Sequence, residues 1–182
     1  MNKKIAVFLL LLILIGIAVF QNVSARGKQT LKSADPLVQD TAPKPGFQVS
    51  TFTLTSLDGK SYDVGGKRDK PMMLNFWASW CGPCELEAPD LKNIYDKYKA
   101  DFDLYGINMT KNDEQTEVKK FVKQYKLSFP ILLDLDGKVA EKFRFNFVPT
   151  SFLIDRNGIV VDSFNVLSAK ELEQRIKKLI DR

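Results

Sequence analysis

Hydrophobic and polar residues change period along this chain, and the changes predict strands and helices in alternation. Residues 72–77 are apolar except for Asn75, which is typical of a central strand covered on both faces. A pattern of helical period follows and runs to about residue 99. The residues assigned to the buried face of that helix are Leu86, Leu91, Ile94, Tyr95 and Tyr98.

The remaining pattern predicts two hairpins and further alternating elements. Residues 52–55 and 61–64 form the first hairpin, with Asp58-Gly59 at its turn. The later strands are expected at 102–108, 131–133, 150–155 and 159–164, the last two paired as a hairpin, and the later helices at 114–125, 139–143 and 168–180. Because alternating strands and helices form right-handed β-α-β crossovers, the core of the sheet is predicted to be largely parallel. With the antiparallel hairpin added, the chain is predicted to be an α/β protein, a three-layer α/β/α domain with a mixed sheet.

The first 25 residues are predicted to direct the chain to a membrane. Lys3 and Lys4 precede an apolar stretch without charge at 5–20. This stretch spans roughly 24 Å as a helix, less than a hydrocarbon core of about 30 Å. An uncleaved single-pass anchor is the preferred interpretation. A cleaved signal peptide is the alternative, because Val23-Ser24-Ala25 offers small residues at a cleavage site.

Basic residues before the apolar stretch keep the N-terminus in the cytoplasm. The rest of the chain is therefore expected on the extracytoplasmic face of the cell membrane or, after cleavage, secreted. Residues 26–46 contain three prolines and are interpreted as a linker, and residues 47–182 as one folded domain. Disulfides persist in such a compartment, so a solitary pair of close cysteines there favours redox work.

Composition and charge exclude several functions. The chain has 182 residues, 27 Lys and Arg, 22 Asp and Glu, a net charge of +5 and no histidine. Without histidine there is no Ser-His-Asp, Cys-His or H-E-x-x-H site. Basic and acidic residues alternate along the predicted helices, as in Glu117-Val118-Lys119-Lys120. The charge therefore indicates a solvated surface with some affinity for anionic lipid, and no nucleic-acid partner is predicted.

The two cysteines lie in Trp80-Cys81-Gly82-Pro83-Cys84, directly after the predicted central strand. A cysteine at a helix N-terminus has a lowered pKa, and a second cysteine one turn on can resolve a mixed disulfide. We therefore predict that Cys81 attacks and Cys84 resolves, with Pro83 in the first helical turn. A zinc site built from the cysteines of two chains stays open as an alternative. Haem attachment is excluded, because Glu85 stands where a histidine is needed.

Three motifs resemble the thioredoxin superfamily and, within it, the TlpA/ResA-like thiol-disulfide oxidoreductases anchored in bacterial membranes. They are Trp-Cys-Gly-Pro-Cys after a buried strand, Phe147-Val148-Pro149-Thr150 downstream, and Glu87 with Pro89 in Cys84-Glu85-Leu86-Glu87-Ala88-Pro89. The resemblance covers about residues 43–182. It implies a thioredoxin-like fold with an N-terminal β-hairpin and an extra β-α insertion within 102–134.

The resemblance also implies a catalytic group of Cys81, Cys84 and Glu87. Glu87 is expected to tune the pKa of the cysteines or to relay a proton. On the sequence alone, a solvated helical carboxylate is an equally good interpretation of Glu87. Asn75 stands where cytoplasmic thioredoxins carry a buried aspartate, which leaves Glu87 as the candidate base.

A substrate-binding surface follows from the same resemblance. The peptide bond before Pro149 is expected to be cis and to present the backbone of Val148 beside the attacking cysteine. An extended substrate can then add there as a short strand. Trp80, Gly82 and Pro83 complete this predicted surface.

The predicted function is reduction of disulfides in exported proteins, such as apocytochrome c or envelope and spore-assembly proteins. The Cys81–Cys84 pair is expected to need no cofactor. Its Gly-Pro dipeptide resembles strongly reducing thioredoxins near about −270 mV, whereas oxidants of the same fold lie near about −120 mV. The family implies a transmembrane thiol electron donor of the CcdA/DsbD type, and the chain is interpreted as a monomer. An extracytoplasmic oxidant or isomerase and a noncatalytic thioredoxin-fold binding module are the alternatives.

Overall fold

The predicted strands assemble into a five-stranded sheet and a separate hairpin in the computed structural model, which describes residues 44–182. The strands are β1 (Phe52–Thr55), β2 (Ser61–Val64), β3 (Met72–Trp77), β4 (Asp103–Asn108), β5 (Ile131–Leu133), β6 (Thr150–Ile154) and β7 (Val160–Phe164). The helices of these residues are α1 (Gly82–Tyr98), α2 (Gln115–Tyr125), α3 (Lys138–Phe143) and α4 (Ala169–Ile180), with a 3-10 turn at Thr110–Asn112. The elements agree with the predicted ones to within one residue at most ends.

Strand β3 lies at the centre of the sheet, whose order is β5-β4-β3-β6-β7. It pairs in parallel with β4 and antiparallel with β6, while β4 and β5 are parallel and β6 and β7 antiparallel. The sheet is therefore mixed, and the predicted thioredoxin-like α/β fold is confirmed. All six residues of β3 are buried, as expected for a strand covered on both faces.

The two faces of the sheet carry different layers. Helices α1, α2 and α4 cover one face, where Leu91, Phe121 and Ile176 belong to a single apolar cluster. Helix α3 and the β1-β2 hairpin cover the other face, where Phe52 and Phe143 pack together with a ring-centroid distance of 6.1 Å. Alternate residues of β3 point into the two clusters, which follows from the two-residue period of a strand.

The predicted placement of Leu86 on the buried face of α1 is wrong, because its side chain is 75% exposed. The buried face of the first two turns passes through Cys84, Glu87, Ala88 and Leu91. Leu86 precedes Leu91 by five residues, which at 100° per residue places it about 140° away around the helix. Predicting the buried face of α1 from apolar residues alone therefore failed in its first two turns.

The N-terminal predictions fall on residues that the structure does not describe. The anchor or signal peptide at 1–25 lies wholly outside the described residues, and so does the linker up to residue 43. Within residues 44–182, no helix is long and apolar enough to cross a membrane. Gly46 is joined to the sheet domain, since its N–H donates to the carbonyl oxygen of Val160 over 2.7 Å.

Candidate active site

The cysteine pair lies where the central strand β3 leads into helix α1. Cys81 is the N-cap of α1, Gly82 and Pro83 form its exposed first turn, and Cys84 lies one turn further along. The two sulfur atoms are joined in a disulfide, and the Cys84 N–H donates to Cys81 Sγ over 3.2 Å. After reduction, this N–H and the helix dipole favour negative charge on the Cys81 sulfur.

The backbone of Val148 approaches this disulfide from the loop before β6. The Val148–Pro149 peptide bond is cis, and the Val148 carbonyl oxygen lies 3.6 Å from Cys81 Sγ. Asn165 Nδ2 donates to the carbonyl oxygen of Pro149 over 2.8 Å and to Thr150 Oγ1 over 3.0 Å. These two hydrogen bonds tie the loop that faces Cys81 to the segment after β7.

Glu87 is only 6% exposed, which excludes the interpretation of a solvated helical carboxylate. It follows Cys84 by three residues and shares its side of α1. Asn75 Nδ2 donates to Glu87 Oε1 over 2.7 Å and to Ser151 Oγ over 3.0 Å. Burial raises the pKa of Glu87 to about 7, and the hydrogen bond from Asn75 acts in the opposite direction. A carboxyl that is about half ionised near neutral pH can exchange protons with a thiol.

A cavity of about 10 Å³ lies between the cysteine pair and the apolar core. Polar groups of Asn75, Glu87 and Cys84 line it together with the indole of Trp77 and the rings of Phe121 and Phe129. Trp77 Nε1 is buried and has no hydrogen-bond acceptor among the described residues. The volume of the cavity is close to the smallest that holds a water molecule, about 10–15 Å³. Cys84 and the buried Glu87 therefore line one small cavity in mostly apolar surroundings.

Two exposed aromatic side chains flank the cysteine and the carbonyl in the chain. Trp80, which precedes Cys81, is 63% exposed, and Phe147, which precedes Val148, is 61% exposed. Large exposed apolar side chains can mark an interaction surface, so both rings are candidates for contact with a substrate. Of the predicted substrate-binding residues, Trp80, Gly82 and Pro83 are exposed, Val148 is partly exposed and Pro149 is buried.

Two observations bear on the alternative of a zinc site shared between two chains. In the part of the chain that the structure describes, no group of three or more His, Cys, Asp or Glu side chains is placed to hold a metal ion. The two sulfur atoms that a shared zinc site would need are bonded to each other.

Sequence reasoning missed two polar residues that support the site. Ser151 in β6 accepts the second hydrogen bond from Asn75, and Asp113 in the loop after β4 accepts from the backbone and side chain of Ser79. One signal was available for Asp113. Because the carboxyl ends of the parallel strands β3 and β4 meet at one edge, polar residues after β4 lie near the residues that precede Cys81.

The profile of the AhpC/TSA family matches residues 45–163. The chain belongs to the AhpC/TSA family. Thiol-disulfide oxidoreductase ResA of Bacillus thuringiensis subsp. konkukian (strain 97-27) is 37% identical to this chain over 135 residues, covering 74% of this chain and 78% of that protein. ResA of Geobacillus kaustophilus (strain HTA426) is 30% identical over 178 residues, covering 97% of this chain and 94% of that protein. The crystal structure of StoA from Bacillus subtilis has a TM-score of 0.62 and 30% identity, covering 69% of this chain and 95% of StoA.

These relatives confirm the resemblance to the ResA-like branch of the thioredoxin-like proteins. The structural match to StoA agrees with the fold, and the name thiol-disulfide oxidoreductase of the two ResA relatives agrees with the disulfide at the start of α1. This AhpC/TSA family member is a thiol-disulfide oxidoreductase with a thioredoxin-like fold.

Proposed function

We propose that the protein reduces disulfides in exported proteins on the extracytoplasmic face of the cell membrane, to which its N-terminal segment tethers it. The observation that carries the proposal is the arrangement around the disulfide. Cys81 faces the Val148 carbonyl oxygen at 3.6 Å, and Cys84 lines a cavity with the buried Glu87. One sulfur is thus placed toward a substrate backbone and the other toward a proton acceptor.

The first step is attack by the reduced protein. The Cys81 thiolate attacks one sulfur of the substrate disulfide, a bond forms between those two sulfurs, and the substrate S–S bond breaks. The second substrate sulfur leaves as a thiolate and takes a proton from water. An extended substrate segment can donate a backbone N–H to the Val148 carbonyl oxygen, which recognises main chain and tolerates many sequences.

The second step releases the reduced substrate. The Glu87 carboxylate takes the proton of the Cys84 thiol, and the resulting thiolate attacks Cys81 Sγ. The Cys81–substrate bond breaks, the substrate sulfur leaves as a thiolate, and the Cys81–Cys84 disulfide forms. Two electrons have then passed from the cysteine pair to the substrate. Before another cycle, a membrane thiol donor of the CcdA/DsbD type must return two electrons.

The direction of electron flow can be tested by the reduction potential of the Cys81–Cys84 couple. We expect the full chain in detergent, equilibrated with defined glutathione buffers at about pH 7, to have a potential below roughly −230 mV. The reason is the Gly82-Pro83 dipeptide, which resembles that of reducing members of the fold. A potential above roughly −180 mV would instead assign the protein to the oxidants or isomerases.

The proposed location rests on Lys3 and Lys4 before the apolar stretch at 5–20. We expect the chain to stay with the membrane pellet after an alkaline carbonate wash of cells that produce it. We also expect protease added to intact protoplasts to remove the folded domain while a cytoplasmic marker protein survives. Degradation only after the membrane is permeabilised would place the domain on the cytoplasmic side and contradict the proposal.

A further inference from the structure

The loop after β4 is bonded to the segment that immediately precedes Cys81. Asp113 Oδ2 accepts the N–H of Ser79 over 2.6 Å, and Asp113 Oδ1 accepts the Ser79 hydroxyl over 2.5 Å. One carboxylate therefore fixes both the backbone and the side chain of Ser79. Hydrogen bonds to an ionised acceptor are about twice as strong as neutral ones, so this is a firm attachment.

Asp113 is itself attached to the sheet. Asn108, the last residue of β4, is fully buried, and its Nδ2 donates to Asp113 Oδ2 over 2.8 Å. The other end of the Asn108 amide is also engaged, since its Oδ1 accepts the Thr110 hydroxyl over 2.9 Å. Asn108 and Thr110 are buried and Asp113 is half-buried, and these paired groups hold one another in one arrangement. Asp113 thus connects Ser79 to Asn108 at the end of strand β4.

The same loop holds the exposed indole of Trp80. Trp80 Nε1 donates to the carbonyl oxygen of Asn112 over 2.9 Å, while 63% of the residue is open to solvent. The backbone of Trp80 follows Ser79, and the acceptor on Asn112 precedes Asp113. The Trp80 ring is held at its backbone and at its Nε1 acceptor on Asn112. Both places are adjacent in the chain to Ser79 or Asp113, which are hydrogen-bonded to each other.

We propose that Asp113 is a positioning residue for polypeptide substrates. It holds the Trp80 ring as a fixed contact surface for the substrate residues on either side of the substrate disulfide. The inference rests on the proposed function and adds a determinant of substrate class to it. An aromatic ring with only two side-chain torsions offers a large contact area, provided that it is already oriented. A small disulfide needs only access to Cys81 Sγ and gains nothing from the ring.

The test compares two substrates of the pre-reduced full chain in detergent. One is a disulfide-bonded peptide with several residues on both sides of each cysteine, and the other is bis(2-hydroxyethyl) disulfide. We expect Asp113→Ala to lower the second-order rate constant for the peptide about tenfold and that for the small disulfide by less than about twofold. In Asp113→Ala, time-resolved fluorescence anisotropy should also show more nanosecond motion of the Trp80 ring, because the loop that holds it is released. The other tryptophan, Trp77, is 2% exposed and should contribute an unchanged signal.

Two further variants separate position from charge. Asp113→Asn is isosteric: its amide oxygen can accept from Ser79 and Asn108, and its amide nitrogen can donate to the Ser79 hydroxyl, so we expect rates within about twofold of wild type. Asp101→Ala is the matched control, since Asp101 is exposed and its carboxylate has no partner among the residues described here. If Asp113→Ala fails to fold, Ser79→Ala removes the hydroxyl bond alone and should lower the peptide rate selectively.

The outcomes distinguish this inference from the proposed function. If the wild-type chain reduces neither substrate, the proposed function fails. If the wild type reduces both, the inference is overturned by an unchanged peptide rate in Asp113→Ala, by an equal loss for both substrates, or by a loss in Asp113→Asn as large as in Asp113→Ala. Selective loss of the peptide rate with rescue by asparagine supports it.

Discussion

Cys84→Ser is expected to turn the protein into a covalent trap for its substrates. Cys81 can still attack a substrate disulfide, but no second thiolate is available to release the product, so the mixed disulfide accumulates. Turnover should fall at least about 10³-fold, as when one member of a catalytic unit is removed. The adducts can be resolved on non-reducing gels and the joined cysteines identified by mass spectrometry of the separated peptides.

Cys81→Ser is the matched control for this trap. It should neither turn over nor accumulate adducts, because Cys84 is only 2% exposed and lines the inner cavity together with Glu87. Adducts that form through Cys84 in this control would reverse the assigned roles of the two cysteines. An absence of adducts in both variants, with folded protein, would instead favour a noncatalytic binding module.

The fold was predictable because its strongest signals are local. Residues 72–77 had to be covered on both faces, the alternation after them predicted parallel strands, and the final hairpin made the predicted sheet mixed. The bounds of α4 were equally local, since Ser168 and Glu171 form a capping box at its start. What the pattern did not contain was the choice of buried face in the first turns of α1, where Leu86 is exposed and Glu87 is buried.

The candidate site was predictable only where a motif marked it. The cysteines, Val148 and Glu87 stand in contiguous signatures, whereas Ser151 and Asp113 reach the site from 67 and 29 residues after Cys84 in the chain. Their roles depend on the register that sets Ser151 opposite Asn75 and on the path of one loop. Such contacts come from tertiary structure. The predicted order of the strands indicated the region of Asp113, but nothing in the sequence indicated its partner Ser79 or the role of Ser151. The burial of Glu87 likewise follows from packing against β3 rather than from its neighbours in the sequence.

Replacing Glu87 by glutamine is expected to change how the stability of the oxidised protein depends on pH. Burial raises the pKa of Glu87 from 4.5 to about 7, so the folded state binds a proton more tightly than the unfolded state does. The contribution of Glu87 to wild-type stability should therefore be fully present below about pH 4.5, be lost between pH 4.5 and 7, and stay level above. Over that interval the free energy of unfolding of Glu87→Gln should gain roughly 3 kcal/mol relative to wild type.

Urea unfolding of the oxidised proteins at several pH values would measure this difference, and Glu85→Gln supplies the control. Glu85 is exposed on the same helix near the same cysteines, so its loss should leave the pH profile parallel to that of wild type. Parallel profiles for wild type and Glu87→Gln would contradict the raised pKa.

The same substitution is expected to slow the second chemical step. Glutamine can keep the hydrogen bond from Asn75 but cannot accept the proton of Cys84, so release of the mixed disulfide at pH 7 should slow about 10²-fold. Attack by Cys81 should stay close to its wild-type rate. Quenched-flow mixing of the reduced protein with a peptide disulfide would therefore show the adduct forming normally and persisting. If Glu87→Gln is more stable than wild type at pH 8 and also releases the substrate more slowly, the buried carboxylate destabilises the fold and contributes to catalysis. A more stable variant with an unchanged release rate would remove Glu87 from the proton path.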